Sequence, residues 1–401
     1  MVETKVNFDF ESNIADPMVF QVSYIPEQLK FREEQQTDVA HAFVANSNIL
    51  LYGETGTGKT LVARYVEHAF ILQEKPQAKV LYVSCMSQNK PKAVWGEILR
   101  QLYVKSSWRP SENELYNLVK KHLPANLDTY LILDEIDKLS NGEDFLKILC
   151  DEFPAITLLL ITNNQMFPLQ IRQEVKGRLG WLSTNFKPYS VNELIEILYE
   201  RAERGLRAEC WDDSIIQYLS ARIKRDRKGD ARVGITILRL SALLAERKGG
   251  ALTQELIDQA FLKYEADEVL QTLYAYPEHV QALYASIYEA PQQQLSSGEL
   301  YTLYSYFSKK RLKTPPVSYT TFWRATNELA WANLIAIKDR TTRGGRGQTR
   351  EVYKLIPDET YQLVKPALYS YLKLEINQHP EPIGLNRYLN QPPPDESPNE
   401  L

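Results

Sequence analysis

Eight consecutive residues, Gly53-Glu54-Thr55-Gly56-Thr57-Gly58-Lys59-Thr60, constrain this chain more than any other feature. They satisfy G-x-x-x-x-G-K-[ST] where the pattern has meaning, after an apolar run (NILLY, 48–52) and before an amphipathic one (KTLVARYVEHAF). Glycines let the backbone curl so that successive N–H groups face phosphate oxygens, and the new helix adds its positive N-terminal end. Lys59 is placed to reach the β- and γ-phosphates of a nucleotide, and Thr60 to ligate Mg²⁺. Gly53, Glu54, Thr55, Gly56, Thr57, Gly58, Lys59, Thr60 and Leu61 form the candidate phosphate-binding set.

Three more apolar runs, VLYVS (80–84), YLILD (130–134) and TLLLIT (157–162), read as buried strands separated by helical patterns such as AVWGEILRQLY. Strands alternating with helices predict an α/β unit with a parallel sheet covered on both faces. The run YLILD ends in two carboxylates, which puts Asp134 where it can hold Mg²⁺ and Glu135 where it can polarise an attacking water. The last run ends in Thr162-Asn163-Asn164, and Asn163 is the candidate for orienting that water.

From Ser190, a predicted N-cap, the pattern is helical to about residue 268 with no strand candidate. Within it Gly229-Asp230 reads as a turn and N-cap, placing Arg232 in the first turn of a helix whose Val233, Ile237, Leu240 and Leu244 are expected to face inward. A cation is disfavoured in a first turn, which points to an anionic partner nearby. From about Leu273 the order is helix, helix, a Pro315-Pro316 break, helix (SYTTFWRATNELAWA), strand (LIAIKDR), a glycine-rich tip and strand (REVYKLI), the winged-helix pattern. The end, QPPPDESPNEL, is proline-rich and acidic and is expected to be disordered. The expected domains are 1–189, 190–270 and 271–358, followed by an extension over 359–401.

Charge matters for the third segment. Between Lys309 and Lys354 there are eleven Lys or Arg and three acids, about +8 in a chain whose net charge is −4. That asymmetry excludes a uniformly basic coat protein and marks a local footprint for a phosphate backbone. Arg343, Gly344, Gly345 and Arg346 form a hairpin tip suited to a minor groove, while Tyr319, Thr320, Arg324 and Asn327 are offered to a major groove, with Phe322 and Leu329 inward. Trp323 and Trp331 are expected to pack rather than to stack on bases. The three cysteines are too few and too scattered for a disulfide framework or zinc cluster, and no apolar run reaches the ~20 residues of a membrane helix. A reduced, cytoplasmic protein is expected.

Taken together, YIPEQLKFREEQ (24–35), GETGTGKT, LILDEIDKL, LLITNN, FKPYSVNELIEIL, GDARVGITILRLSALLAE and the winged helix resemble the AAA+ ATPases. Within them, the resemblance is to initiators of the archaeal origin-recognition and cell-division-control-six type, and it spans about Tyr24 to Ile356. It implies an AAA+ P-loop base, a helical lid and a DNA-binding winged helix, with ATP or ADP and Mg²⁺ as ligands. It implies a slow ATPase used as a switch, nucleoid association, duplex origin DNA and a replicative helicase as partners, and further copies of the chain on DNA. It also implies that Arg232 is a sensor arginine reaching the γ-phosphate, that Arg178 in VKGRLG is a finger offered to a neighbouring subunit, and that Arg32 lies near the base. The family's DNA-touching insertion falls near residues 105–112, and Asn333 stands where the family tends to have glycine before the wing, a position asparagine tolerates in αL. A different reading makes the chain a regulator or adaptor ATPase of a plasmid, mobile element or defence system, with a winged helix that binds protein; a third makes it a helicase loader with only nonspecific DNA affinity.

Overall fold

A computed structural model describes residues 12–106, 109–123, 128–341 and 348–374. The chain forms two compact units, residues 1–257 and 258–401. The first begins with α1 (Glu33–Val44), β1 (Ile49–Gly53), α2 (Lys59–Gln73), β2 (Lys79–Ser84), α3 (Pro91–Gln101), α4 (Glu112–His122) and β3 (Thr129–Asp134). It continues with α5 (Gly142–Glu152), β4 (Ile156–Thr162), α6 (Phe167–Gln170), α7 (Gln173–Leu179) and β5 (Leu182–Phe186).

The five strands form one parallel sheet in the order β2-β3-β4-β1-β5. Every residue of β3 and β4 is buried, which is why both read as uninterrupted apolar runs. One face packs Ile49, Leu51, Ile132 and Ile161 with Val39, Phe43 and Val62; the other packs Leu50, Leu131, Leu133 and Leu160 with Trp95, Ile98 and Phe145. The fifth strand, LSTNF, has no apolar run to announce it. It is an edge strand that buries only Thr184 and Phe186, so alternation leaves the rest polar or exposed.

The all-helical stretch opens with α8 (Val191–Gly205), capped by a reciprocal Ser190/Glu193 box as Ser190 predicts. Next come α9 (Asp213–Asp226), α10 (Ala231–Lys248) and α11 (Gln254–Tyr274). Asp230 caps α10, accepting from the N–H groups of Arg232 and Val233. The inward face of α10 is rotated from the expected one. Val233 and Ile237 are buried as expected, along with Gly234, Leu238, Ser241 and Ala245, while Leu240 and Leu244 are only half-buried. Gly234 lies on the buried face where α10 approaches α8 closely: a Cβ there would meet the side chain of Leu198 at 3.2 Å.

The second unit contains α12 (Glu278–Glu289), β6 (Gln294–Ser296), α13 (Ser297–Phe307), α14 (Tyr319–Trp331), β7 (Ile335–Thr341), β8 (Gln348–Lys354) and α15 (Asp358–Tyr371). The antiparallel order β6-β8-β7 gives the hairpin a third strand, and the element order is that of a winged helix. Two elements have no sequence expectation. β6 is three residues long and buries only Leu295. α15 contains Pro366, which reads as a helix breaker, yet Tyr361, Val364, Leu368 and Tyr369 complete the core. Glu289 on α12, its side chain largely covered, ties α15 down, accepting from Tyr369 at 2.8 Å and Lys365 at 2.8 Å. Among the described residues no helix is long and apolar enough to cross a membrane.

Candidate nucleotide site and nucleic-acid surface

The sheet order explains why one end of the strands gathers the motifs. β4 lies between β1 and β3, with Tyr52 opposite Thr162 and Asp134 opposite Ile161, so the loops after these strands open side by side. α2 starts at Lys59 behind Gly58, with no side-chain cap on its first N–H groups. An uncapped N-terminus of this kind suits an anion. Gly56 adopts φ +68°, and a Cβ there would lie 1.8 Å from the Asp230 carboxylate of the helical part; Gly58 adopts φ +92°, and its Cβ would lie 2.7 Å from the Tyr189 hydroxyl.

Lys59 is buried, its Nζ donating to the carbonyls of Gly53 at 3.0 Å and Glu54 at 2.6 Å, with Thr57 Oγ1 at 3.4 Å. Burial, and next the charge of Arg232, lower its pKa to about 8. Thr60 Oγ1 donates to Asp134 Oδ2 at 2.8 Å. This hydroxyl and carboxylate are hard oxygen donors of the kind Mg²⁺ takes, so the pair fits the metal. Glu135 follows at φ 57°, and Asn163 Nδ2 donates to its Oε1 at 3.3 Å. Burial first, then the carboxylates of Asp134 and Asp137, hold the Glu135 carboxyl above its ordinary value. Asp137 is itself fixed by Thr162 Oγ1 at 2.7 Å.

The three arginines have different surroundings. Arg232 is exposed, its nearest anion the Asp230 carboxylate at 3.6 Å. Arg32 is buried and wholly engaged, donating to the carbonyls of Thr57 at 3.0 Å, Phe31 at 2.8 Å and Lys187 at 2.9 Å. Its guanidinium also lies 3.9 Å from the centroid of the Tyr189 ring. It thus meets the phosphate loop through the backbone of Thr57. Arg178, on α7, pairs with Asp151 and Glu174 rather than with the loop cluster. Thr55 is exposed, Glu54 and Leu61 are half-buried, and Thr57 is buried, its Oγ1 donating to the Glu54 carbonyl at 2.8 Å. Sequence reasoning missed Tyr82, whose hydroxyl also donates to Asp134, and gave no role to Tyr189 within FKPYSVNELIEIL; Tyr82 belongs to no motif, and only strand pairing brings it to the site.

In the second unit Tyr319, Thr320 and Arg324 are exposed on α14 and Asn327 is half-buried, opposite the buried Phe322, Ala325 and Leu329. A basic π-turn, Ser308–Leu312, carries Lys309, Lys310 and Arg311 just before it. Asn333 takes φ 56°, the αL conformation expected of it. Arg343, Gly344, Gly345 and Arg346 lie outside the described residues, as does part of the 105–112 insertion. The expectation that both tryptophans pack needs correction. Trp323 is half-buried under the Arg350 guanidinium, but Trp331 is 81% exposed. It ends α14 two residues beyond Leu329, a step of about 200° that carries it off the inward face.

Comparisons with known proteins agree with this geometry. A family model described as an AAA domain matches residues 44–169, and one described as a Cdc6 AAA+ ATPase-type lid domain matches residues 195–261. The ORC1-type DNA replication protein 1 of Sulfurisphaera tokodaii is 30% identical over 358 residues, which cover 84% of this chain and 89% of that protein. That of Archaeoglobus fulgidus is 30% identical over 381 residues, covering 89% and 91%. Among solved structures, that of the Aeropyrum pernix ORC1 protein in complex with DNA matches with a TM-score of 0.79 at 28% identity, covering 90% of this chain and 98% of that one.

Proposed function

We propose that this chain, which belongs to the family of ORC1-type DNA replication proteins, binds duplex origin DNA and helps load the replicative helicase, switched by ATP binding and hydrolysis. It is an AAA+ ATPase. The observation that carries the reading is the meeting of Lys59, Thr60, Asp134, Glu135 and Asn163 beneath a helical part whose Asp230 abuts Gly56. A site that brings a phosphate loop, a base and a lid together can sense whether a γ-phosphate is present.

In the proposed hydrolysis Lys59 leaves the loop carbonyls for the β- and γ-phosphate oxygens. Glu135 accepts a proton from the attacking water while Asn163 orients it. A bound Mg²⁺, held by Thr60 and Asp134, would neutralise charge on the phosphate oxygens. Arg232 reaches from the helical part to the γ-phosphate, and Arg178 serves a neighbouring copy as a finger. The relative named as an ORC1 protein in complex with DNA supports a DNA role for α14, the basic turn and the wing. Tyr319, Thr320 and Arg324 would read the major groove, and Arg343 to Arg346 the minor groove.

Crosslinking and sequencing across the protein's own genome, beside the wing variant Arg343→Ala/Arg346→Ala, tests this. Sharp peaks at replication start sites that weaken in the variant are the expected result. Diffuse or absent occupancy would overturn sequence-specific initiation and leave an ATPase whose winged helix binds protein.

A further inference from the structure

The strand beside the acidic one supplies a side chain that no motif names. β2 runs parallel to β3 with Ser84 opposite Asp134, and Tyr82 shares the strand face of Ser84. Its hydroxyl donates to Asp134 Oδ2 at 2.7 Å, the same oxygen that accepts from Thr60 at 2.8 Å. Among the described residues no donor reaches Asp134 Oδ1, although Asp134 is only 7% exposed. One oxygen of a nearly buried carboxylate is therefore held twice and the other left open.

The ring of Tyr82 is itself held. The guanidinium of Arg64 lies 4.4 Å from its centroid, and Arg64 follows Thr60 by four residues on α2, so both project from one helix face. Thr60 on α2 and Tyr82 on β2 thus converge on the carboxylate that ends β3, with Arg64 over the Tyr82 ring.

We infer that Tyr82 is a positioning residue for divalent-cation capture: its O–H, with that of Thr60, fixes the rotation of the Asp134 carboxylate and keeps Oδ1 free for the metal. The inference rests on Thr60 and Asp134 being the cation pair. Partners of this kind, one step removed from a metal, typically change its affinity by about 10- to 100-fold when lost. They leave cation-free nucleotide binding alone, because Lys59 and the loop N–H groups are untouched.

The test is Tyr82→Phe in the full chain, which keeps the ring under Arg64 and removes only the hydroxyl. Mn²⁺ affinity would be measured by electron paramagnetic resonance in the presence of ADP, and ADP affinity by calorimetry with the cations chelated. Expected are a loss of Mn²⁺ affinity of about tenfold or more, an unchanged cation-free ADP affinity and a fold that stays intact at the assay temperature. Arg64→Gln, which leaves the hydroxyl in place, should shift Mn²⁺ affinity in the same direction by less. An unchanged Mn²⁺ affinity in Tyr82→Phe, or a parallel fall in cation-free ADP binding, would overturn the inference. If Asp134→Asn also leaves Mn²⁺ affinity intact, the cation pair itself fails and the inference falls with it.

Discussion

Replacing Arg32 separates two ways in which this arginine can serve the nucleotide. The resemblance sets it near the base; in the structure its three nitrogens are spent on carbonyls, one of them that of Thr57 inside the phosphate loop. In Arg32→Ala the fully buried Thr57 carbonyl loses its donor, at about 1–3 kcal/mol. The partly exposed carbonyls of Phe31 and Lys187 rehydrate and lose about 1 kcal/mol each. Loss of the stack on Tyr189 adds about 0.5–1 kcal/mol. The sum is about 5 kcal/mol, between three and four orders of magnitude in an equilibrium constant. Arg32→Lys, a point donor able to satisfy one carbonyl, should lose roughly half of that. The assay pairs the urea midpoint of the transition that unfolds residues 1–257 with dissociation constants for ATP and GTP. Stability should fall in the order wild type, Lys, Ala, and both nucleotides should weaken by one common factor. A change in ATP-over-GTP preference with an unaltered midpoint would refute the strut and put the guanidinium on the base.

Lys59→Ala should abolish ATP binding, whereas Glu135→Gln should still bind ATP but hydrolyse it about 10²- to 10⁴-fold more slowly; normal turnover by Glu135→Gln removes the assignment. Because Glu135 must be ionised to accept a proton and its carboxyl is held up by burial and two neighbouring acids, kcat should rise with pH through a limb above the ordinary ~4.3 of a glutamate. A limb at the ordinary value would contradict that environment. With Lys59 lowered to about 8 in the nucleotide-free site, phosphate favours its charged form, so ATP binding should take up a proton near pH 9 and weaken as pH rises through 8. Calorimetry in buffers of different ionisation enthalpy reads this directly, and buffer-independent heats at pH 9 would disprove it. Leu368→Ala, at a fully buried position of α15, should destabilise the second unit by about 2–5 kcal/mol while ATP affinity stays unchanged; an unaltered melt would show that α15 is not part of that core.

What could be read directly was local. The phosphate loop, the carboxylates after an apolar strand, the Ser190 and Asp230 caps and the αL turn at Asn333 each depend on residues within one or two turns of chain. Such features need only backbone sterics and near-neighbour hydrogen bonds, so residue identity is enough to predict them. β5 and β6 escaped because an edge or three-residue strand is stabilised by its neighbour rather than by its own apolar pattern. The helix α15 escaped because Pro366 argues locally against it, while burial of Tyr361, Val364 and Leu368 outweighs that argument. Trp331 shows the converse, since an indole in an amphipathic helix suggests packing, and one step of rotation sent it to solvent.

The candidate site divides along the same line. By itself the sequence determined that a strand ends in a phosphate cradle, that a second ends in acids, and that helices and then a basic winged helix follow. Only the tertiary structure decided that β4 separates β1 from β3, and so that Asn163 meets Glu135 and Thr60 meets Asp134. It also decided that Tyr82 reaches Asp134 across a strand boundary, that Arg32 braces the loop, and that Asp230 abuts Gly56. These contacts join residues tens to more than a hundred positions apart. Their partners are chosen by strand order and burial, which are collective properties of the whole core.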